Sequence, residues 1–274
     1  MRVGFQEVIN LLSYSFVHRA MLAGSFVAVC CSILGVFLVL RRYSMIGHGL
    51  SHVAVGTLGF AVFMGWTPLY FSIPAVAIAA LAIPWLADKA KVYGDASIAM
   101  LSGVGIAFGV LFVSLGNGLG YDLESFLFGS ILAISKVEVW ISVVLSILVI
   151  TTVTFFFHDL FASTFEPEHA RVLGVKTVWI DRLLLIVTGL TVVLAVRIVG
   201  AMLVTSLIVF PAVIALQVAR GFKMVILTSS IIGVASVLIG ILVSCFMKCP
   251  SGPTIVLTNL TFFCMAYAIG RSGS

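Results

Sequence analysis

The chain has 274 residues and a formal net charge of +5, yet only 9% of its residues are charged while 62% are hydrophobic. Soluble domains carry about 25% charge, so an ordinary water-facing surface is excluded. A basic nucleic-acid-binding domain is excluded with it, because the basic residues fall in short breaks between long apolar runs. The pattern predicts an all-α, polytopic integral membrane protein, with one membrane domain, 1–274, accounting for the whole chain.

In chain order, Met1–Arg19 reads as an amphipathic lead-in at the membrane interface. The first apolar run, Ala20–Leu40, passes straight into Arg41-Arg42 with no small-residue cleavage site. A signal-peptide core is about 7–15 residues, so this longer run is a retained span. Further spans are predicted at Leu50–Trp66, Tyr70–Leu86, Ala96–Leu115, Val137–Phe157, Leu183–Val196, Val199–Val218, Met224–Met247 and Thr254–Gly270. Each is long enough, or nearly so, to cross about 30 Å of hydrocarbon at about 1.5 Å per residue. Leu183–Val196 is the shortest and stops at Arg197. Tyr121–Ser135 reads as an additional short or re-entrant segment. The count is nine spans, with eight as the alternative.

Orientation follows from the fifteen Lys and Arg residues. With the Arg41/Arg42 turn inside and the spans alternating, ten fall inside: Arg41, Arg42, Lys89, Lys91, Arg171, Lys176, Arg182, Arg220, Lys223 and Arg271. Five fall outside: Arg2, Arg19, Lys136, Arg197 and Lys248. The positive-inside rule selects that arrangement, with a cytoplasmic C-terminus. The five cysteines make no disulfide framework: Cys249 alone is a clear candidate for an oxidising face, and buried thiols behaving as small hydrophobes are the general reading. The scattered Met and Phe residues read as lipid-facing or core filler.

Two polar features interrupt this apolar plan. The first is SMIGHGLSH (44–52), where His48 and His52 stand four residues apart, so on a helix both imidazoles share one face. The second is His158–Asp181, the longest polar break. Pro167 there suits the first turn of a short helix, and Gly174 follows as a turn. A cytoplasmic helix and turn in a chain without a soluble domain offers a docking surface, or simply connects two spans.

Enzyme motifs are missing: there is no His-Glu-x-x-His, no Gly-x-Ser-x-Gly and no phosphate-binding loop. Carboxylates cluster at the breaks, whereas an ion-coupled carrier usually places ionisable groups within its helices. The chain reads as a pore-forming subunit driven by a partner rather than as an enzyme.

Five blocks carry a family resemblance: LRRYSMIGHGLSHVAVG (40–56), DLESFLFGSILAIS (122–135), EPEHARVLGV (166–175), VGAMLVTSLIVFPAVIA (199–215) and PSGPTIVL (250–257). In this order, over roughly Ala23 to Leu257, the chain resembles the permease subunit of bacterial ABC importers for zinc, manganese or iron, most of all the zinc-uptake permease. The resemblance implies a homodimer in the bacterial inner membrane. It also implies a cytoplasmic ABC ATPase, an extracytoplasmic metal-binding protein, and surrounding lipid. No permanently bound cofactor is implied, only a transported divalent metal. Glu168, Ala170 and Gly174 match the spacing of the loop that docks into the ATPase. The family usually reads Gly-Asp-x-x-Ser/Ala-His where this chain has His48 and His52, so an imidazole stands in the carboxylate's place.

Zinc accepts neutral imidazole, whereas manganese sites lean toward oxygen ligands. Two imidazoles are too few for a tight structural site, which suits an ion that must also leave. The alternative is structural: His48 caps or snorkels at the interface, and His52 bonds a carbonyl of a neighbouring helix. Gly200, Ser206 and Pro211 could shape a gate, Pro211 by removing a helix hydrogen bond; small residues also serve plain helix packing. Pro250-Ser251-Gly252-Pro253 forms an external turn. The expected function is the permease of an ATP-driven zinc importer. The alternatives are a manganese or iron importer, a self-sufficient secondary metal carrier and, last, an intramembrane enzyme.

Overall fold

The computed structural model describes residues 15–91, 93–115, 134–247 and 249–272, and among these it is helical with no strand. Eleven helices follow in order: α1 Ser15–Leu40, α2 Ile46–Phe63, α3 Pro68–Ala90, α4 Gly94–Leu115, α5 Lys136–Phe155, α6 Phe157–Phe165, α7 Pro167–Val172, α8 Thr177–Ile198, α9 Ala201–Val218, α10 Phe222–Met247 and α11 Ser251–Ser272. Eight of the described helices, α1–α5 and α8–α10, are long and apolar enough to cross a bilayer. The predicted ninth span lies within α11, a 22-residue helix packed on α9 and α10. Residues 1–14 of the expected interfacial segment lie outside the described residues, as do 121–133 of the expected re-entrant segment. Ser15–Arg19 already belong to α1.

Helices α1, α2, α8 and α9 form the centre. Their largest enclosed side chains include Phe37 and Leu34 of α1, Leu50 and Leu58 of α2, and Leu207 and Ile208 of α9. The outer helices expose large apolar groups, such as Ile78 and Trp85 on α3, Phe108 on α4 and Trp140 on α5. On a soluble protein these would be an aggregation hazard; around a membrane bundle they meet lipid.

With no hydrophobic drive between helices in lipid, close approach relies on small residues. The α2–α4 contact illustrates it. A methyl group added at Gly105 would lie 2.7 Å from Val53 Cα and 2.8 Å from its nitrogen, and one added at Gly56 would strike the Gly105 carbonyl. Both obstacles are backbone, so neither side can yield.

The structure corrects the shortest predicted span. Leu183–Val196 is part of the 22-residue α8, which takes in Asp181, Arg182 and Arg197. Asp181 is paired with Arg41 at the end of α1, and Arg197 with Glu138 in the first turn of α5. Charges end a span when they must reach water; here opposite charges on neighbouring helices meet two of them instead. Glu138 keeps to a break as expected, in the first turn of α5, yet is only 7% exposed.

Candidate functional site

Helix α2 begins at Ile46, directly after the α1–α2 turn, in which Arg42 takes a left-handed backbone (φ 61°). His48 and His52 therefore lie in its first two turns and share a face. Their ring centroids are 4.3 Å apart with the planes at 76°, an edge-to-face contact. His52 is 7% exposed and its Nδ1 has no hydrogen-bond partner, while His48 is half-buried. A buried imidazole nitrogen without a partner is costly. Among the described residues no third His, Cys, Asp or Glu joins the pair.

The start of α2 is not level with the rim of its neighbours. A methyl group on Gly47 would lie 2.6 Å from Ile208 Cδ1 and 3.8 Å from Thr205 Cα. Those are the eighth and fifth residues of the 18-residue α9. Gly35 of α1 abuts the Ile208 carbonyl as well. The imidazoles thus begin beside the interior of α9, where α1, α2 and α9 meet.

Beside them α9 is unusually polar for a bundle core. Thr205 Oγ1 is buried and unpartnered. Ser206 Oγ accepts a long hydrogen bond, 3.5 Å, from Nδ2 of Asn259 on α11, and Asn259 is fully buried with its Oδ1 free of any partner. Thr205 and Asn259 are not among the residues that the sequence motifs single out. Asn259 was visible as an amide inside the apolar run TIVLTNLTFF, the kind of intramembrane polar group that marks function.

The three expected gate residues lie on one stretch. Gly200 (φ 99°) forms the buried turn between α8 and α9, a backbone that side chains resist. Ser206 holds Asn259, and Pro211 lies inside α9 without ending it.

Residues 158–181 are not an open loop. They comprise most of α6, all of α7, a turn, and the first residues of α8. Helix α6 packs Phe157, Phe161 and Phe165 around Phe222. Pro167 opens α7 as expected. Val175 N–H donates to Ala170 O at 3.0 Å and Gly174 N–H to Arg171 O at 3.0 Å, closing α7 with Gly174 at φ 88°. Ala170 is buried beneath this turn, whereas Glu168, paired with Arg171 at 3.1 Å, Val172 and Leu173 are exposed. Arg41 ties the element to the bundle. Its guanidinium reaches Asp181, Ser163 Oγ at 2.6 Å and Thr164 Oγ1 at 2.9 Å.

Comparison with known proteins decides the family: the ABC 3 transport family matches residues 13–270. The chain belongs to that family. Among ABC 3 relatives, it is 29% identical to the manganese transport system membrane protein MntC of Halalkalibacterium halodurans, over 94% of this chain and 88% of that protein. It is 28% identical to the high-affinity zinc uptake system membrane protein ZnuB of Haemophilus influenzae, over 92% and 97%. The fold matches the solved structure of PsaBC from Streptococcus pneumoniae in complex with Fab, with TM-score 0.87, 24% identity, and coverage of 96% of this chain and 95% of that one. The resemblance drawn from the five sequence blocks is borne out, and the ABC 3 chain is a permease rather than an enzyme. The two identities do not separate zinc from manganese.

Proposed function

We propose that this chain is the membrane permease of an ATP-driven importer for a divalent transition metal, with zinc as its preferred cargo. It works as a homodimer in the bacterial inner membrane, with its C-terminus cytoplasmic. A cytoplasmic ABC ATPase supplies the energy and an extracytoplasmic metal-binding protein delivers the ion. The observation that carries the zinc preference is the pair of imidazoles on α2, one of them buried with an unpartnered nitrogen. Neutral imidazole suits zinc, and two ligands hold an ion weakly enough to release it.

In this reading the ion passes His48 and His52 and then the polar side chains of α9 and α11. Glu168, Ala170 and Gly174 form the surface on which the ATPase docks, and Gly200, Ser206 and Pro211 shape the gate. ATPase closure reaches the bundle because the two conformations of the permease bind that partner differently. Manganese is the second reading, favoured by a relative named for manganese at equal similarity.

The test is ATP hydrolysis and uptake by the reconstituted complex with zinc, manganese and iron in competition. Zinc is expected to be taken up first and only with ATP. Uptake without ATP would overturn the importer reading in favour of a carrier. Preference for manganese would overturn the zinc assignment alone.

A further inference from the structure

Helices α5 and α10 both pack against α1 and leave a cleft of about 560 Å3 between them. Its walls are apolar, formed by Ile33 of α1, Ile150 and Val153 of α5, and Ile226 and Leu227 of α10. Toward α6 the lining becomes polar with Thr154, His158 and Lys223, while Ser230 lies deeper along α10. There it adjoins a second cavity of about 470 Å3, which shares Phe157, His158 and Lys223 and adds Arg220.

The mouth is cationic and uncompensated. Lys223 Nζ stands 5.5 Å from the centroid of the Phe157 ring. Neither Lys223 nor Arg220 has a carboxylate partner among the described residues, and neither cavity is lined by Asp or Glu. Asp159, next to His158 in sequence, lines a different cavity with Lys176 and Trp179, and Asp181 is paired with Arg41.

We propose that this cleft binds an anionic phospholipid of the bilayer, with an acyl chain between α1, α5 and α10 and the phosphate between Arg220 and Lys223. The chemistry selects that occupant. An apolar slot takes hydrocarbon, and basic residues at its end attract an anionic headgroup by about 1 kcal/mol each, about tenfold or more for two. A metal cation is repelled there, and free phosphate leaves the slot unfilled. By the bias of basic residues the mouth lies on the cytoplasmic side, where anionic headgroups meet it. The site rests on the membrane-spanning fold and not on the metal reading.

The test uses the full-length chain, with the subunits that co-purify, in bilayer discs of phosphatidylcholine with or without phosphatidylglycerol. Native mass spectrometry counts retained lipid and thermal unfolding measures protection. The wild type should retain phosphatidylglycerol in preference to phosphatidylcholine. Arg220→Gln/Lys223→Gln should lose that preference by about tenfold or more, and Arg182→Gln should not. Val153→Phe, which fills the slot and keeps the charges, should also release the lipid. Equal retention of both lipids overturns the site, as does unchanged retention in either cleft variant. Protection by inorganic phosphate alone would reduce the mouth to an anion site. Loss of the ATPase with lipid unchanged would make it a protein interface.

Discussion

Arg197, in the last turn of α8, donates its Nε–H to Glu138 Oε1 in the first turn of α5 across 2.7 Å. The other carboxylate oxygen accepts Ser135 N–H at 2.8 Å, and Ser135 Oγ accepts Glu138 N–H at 3.2 Å, a complete capping box. One side chain thus caps α5 and holds α8. Sixteen residues earlier, about 24 Å along the helix, Asp181 of α8 is paired with Arg41. Helix α8 is pinned by charge at both ends.

Removing one partner of an enclosed pair leaves a charge without compensation, at about 3–5 kcal/mol, whereas an apolar pair of similar volume is often neutral. Arg197→Met should therefore lower the thermal midpoint of the purified protein strongly, and Glu138→Met/Arg197→Met should recover much of it. The double variant also loses the Glu138 half of the capping box, its bond from Ser135 N–H, while Ser135 still caps the N–H of residue 138. Additive losses in this cycle would mean that the two groups are not coupled.

The boundary of α8 also explains what sequence reading could and could not reach. A span flanked by plain polar residues, such as α4, is placed within a few residues from the sequence, because apolar length alone sets it. Span α8 was cut short because Asp181 and Arg197 look like ends until Arg41 and Glu138, more than fifty residues away, are placed beside them. The histidine pair was legible from its four-residue spacing. Its place beside the interior of α9 was not, since that depends on the contact of Gly47 with Thr205 and Ile208. Asn259 was legible and passed over; a lone amide has no partner in the sequence.

The α2–α4 crossing gives a test with an internal control. Gly105→Ala and Gly56→Ala drive a methyl group into backbone and should cost about 1–3 kcal/mol each. Gly103, on the same helix, faces open space, so Gly103→Ala should be neutral or slightly stabilising. Equal effects at Gly103 and Gly105 would rule out close packing as the reason for the glycines.

The proposed orientation predicts which thiols can be labelled. In a cysteine-free background, cysteines placed between Lys89 and Gly94, or on α7, should resist an impermeant thiol reagent in intact cells. A cysteine at Ser251 should react. The ion pairs agree with alternating spans: the end of α1 meets the start of α8, and the start of α5 meets the end of α8. Labelling in the opposite sense would invert the orientation and move the docking element outside.

Gly174 offers a clean test of docking. A side chain there meets nothing within 4 Å in this chain, so a loss of partner binding cannot come from a clash inside the permease. The φ of 88° itself disfavours most side chains, which Gly174→Asn controls for, since Asn tolerates such backbones best. Gly174→Asp is expected to insert and fold, yet to lose uptake and co-purification with the ATPase. Retention of both would remove this turn from the docking surface.

His48 and His52 separate the transport reading from a structural one. Even outer-shell partners of metal sites are worth about 10–100-fold in affinity, so His52→Ala should lower zinc uptake per folded complex by at least about tenfold. ATPase association should persist. His48→Asp supplies the carboxylate that the family usually carries there; it should keep activity and shift competition toward manganese, because oxygen replaces nitrogen. If His52 were only packing, its removal would reduce the amount of folded protein and leave uptake per complex intact, and His48→Asp would not alter metal preference. Uptake measured per folded complex, with zinc and manganese in competition, distinguishes the two. Normal zinc transport by His52→Ala would show that the paired imidazoles are not on the ion's path, and the zinc preference drawn from them would fall with them.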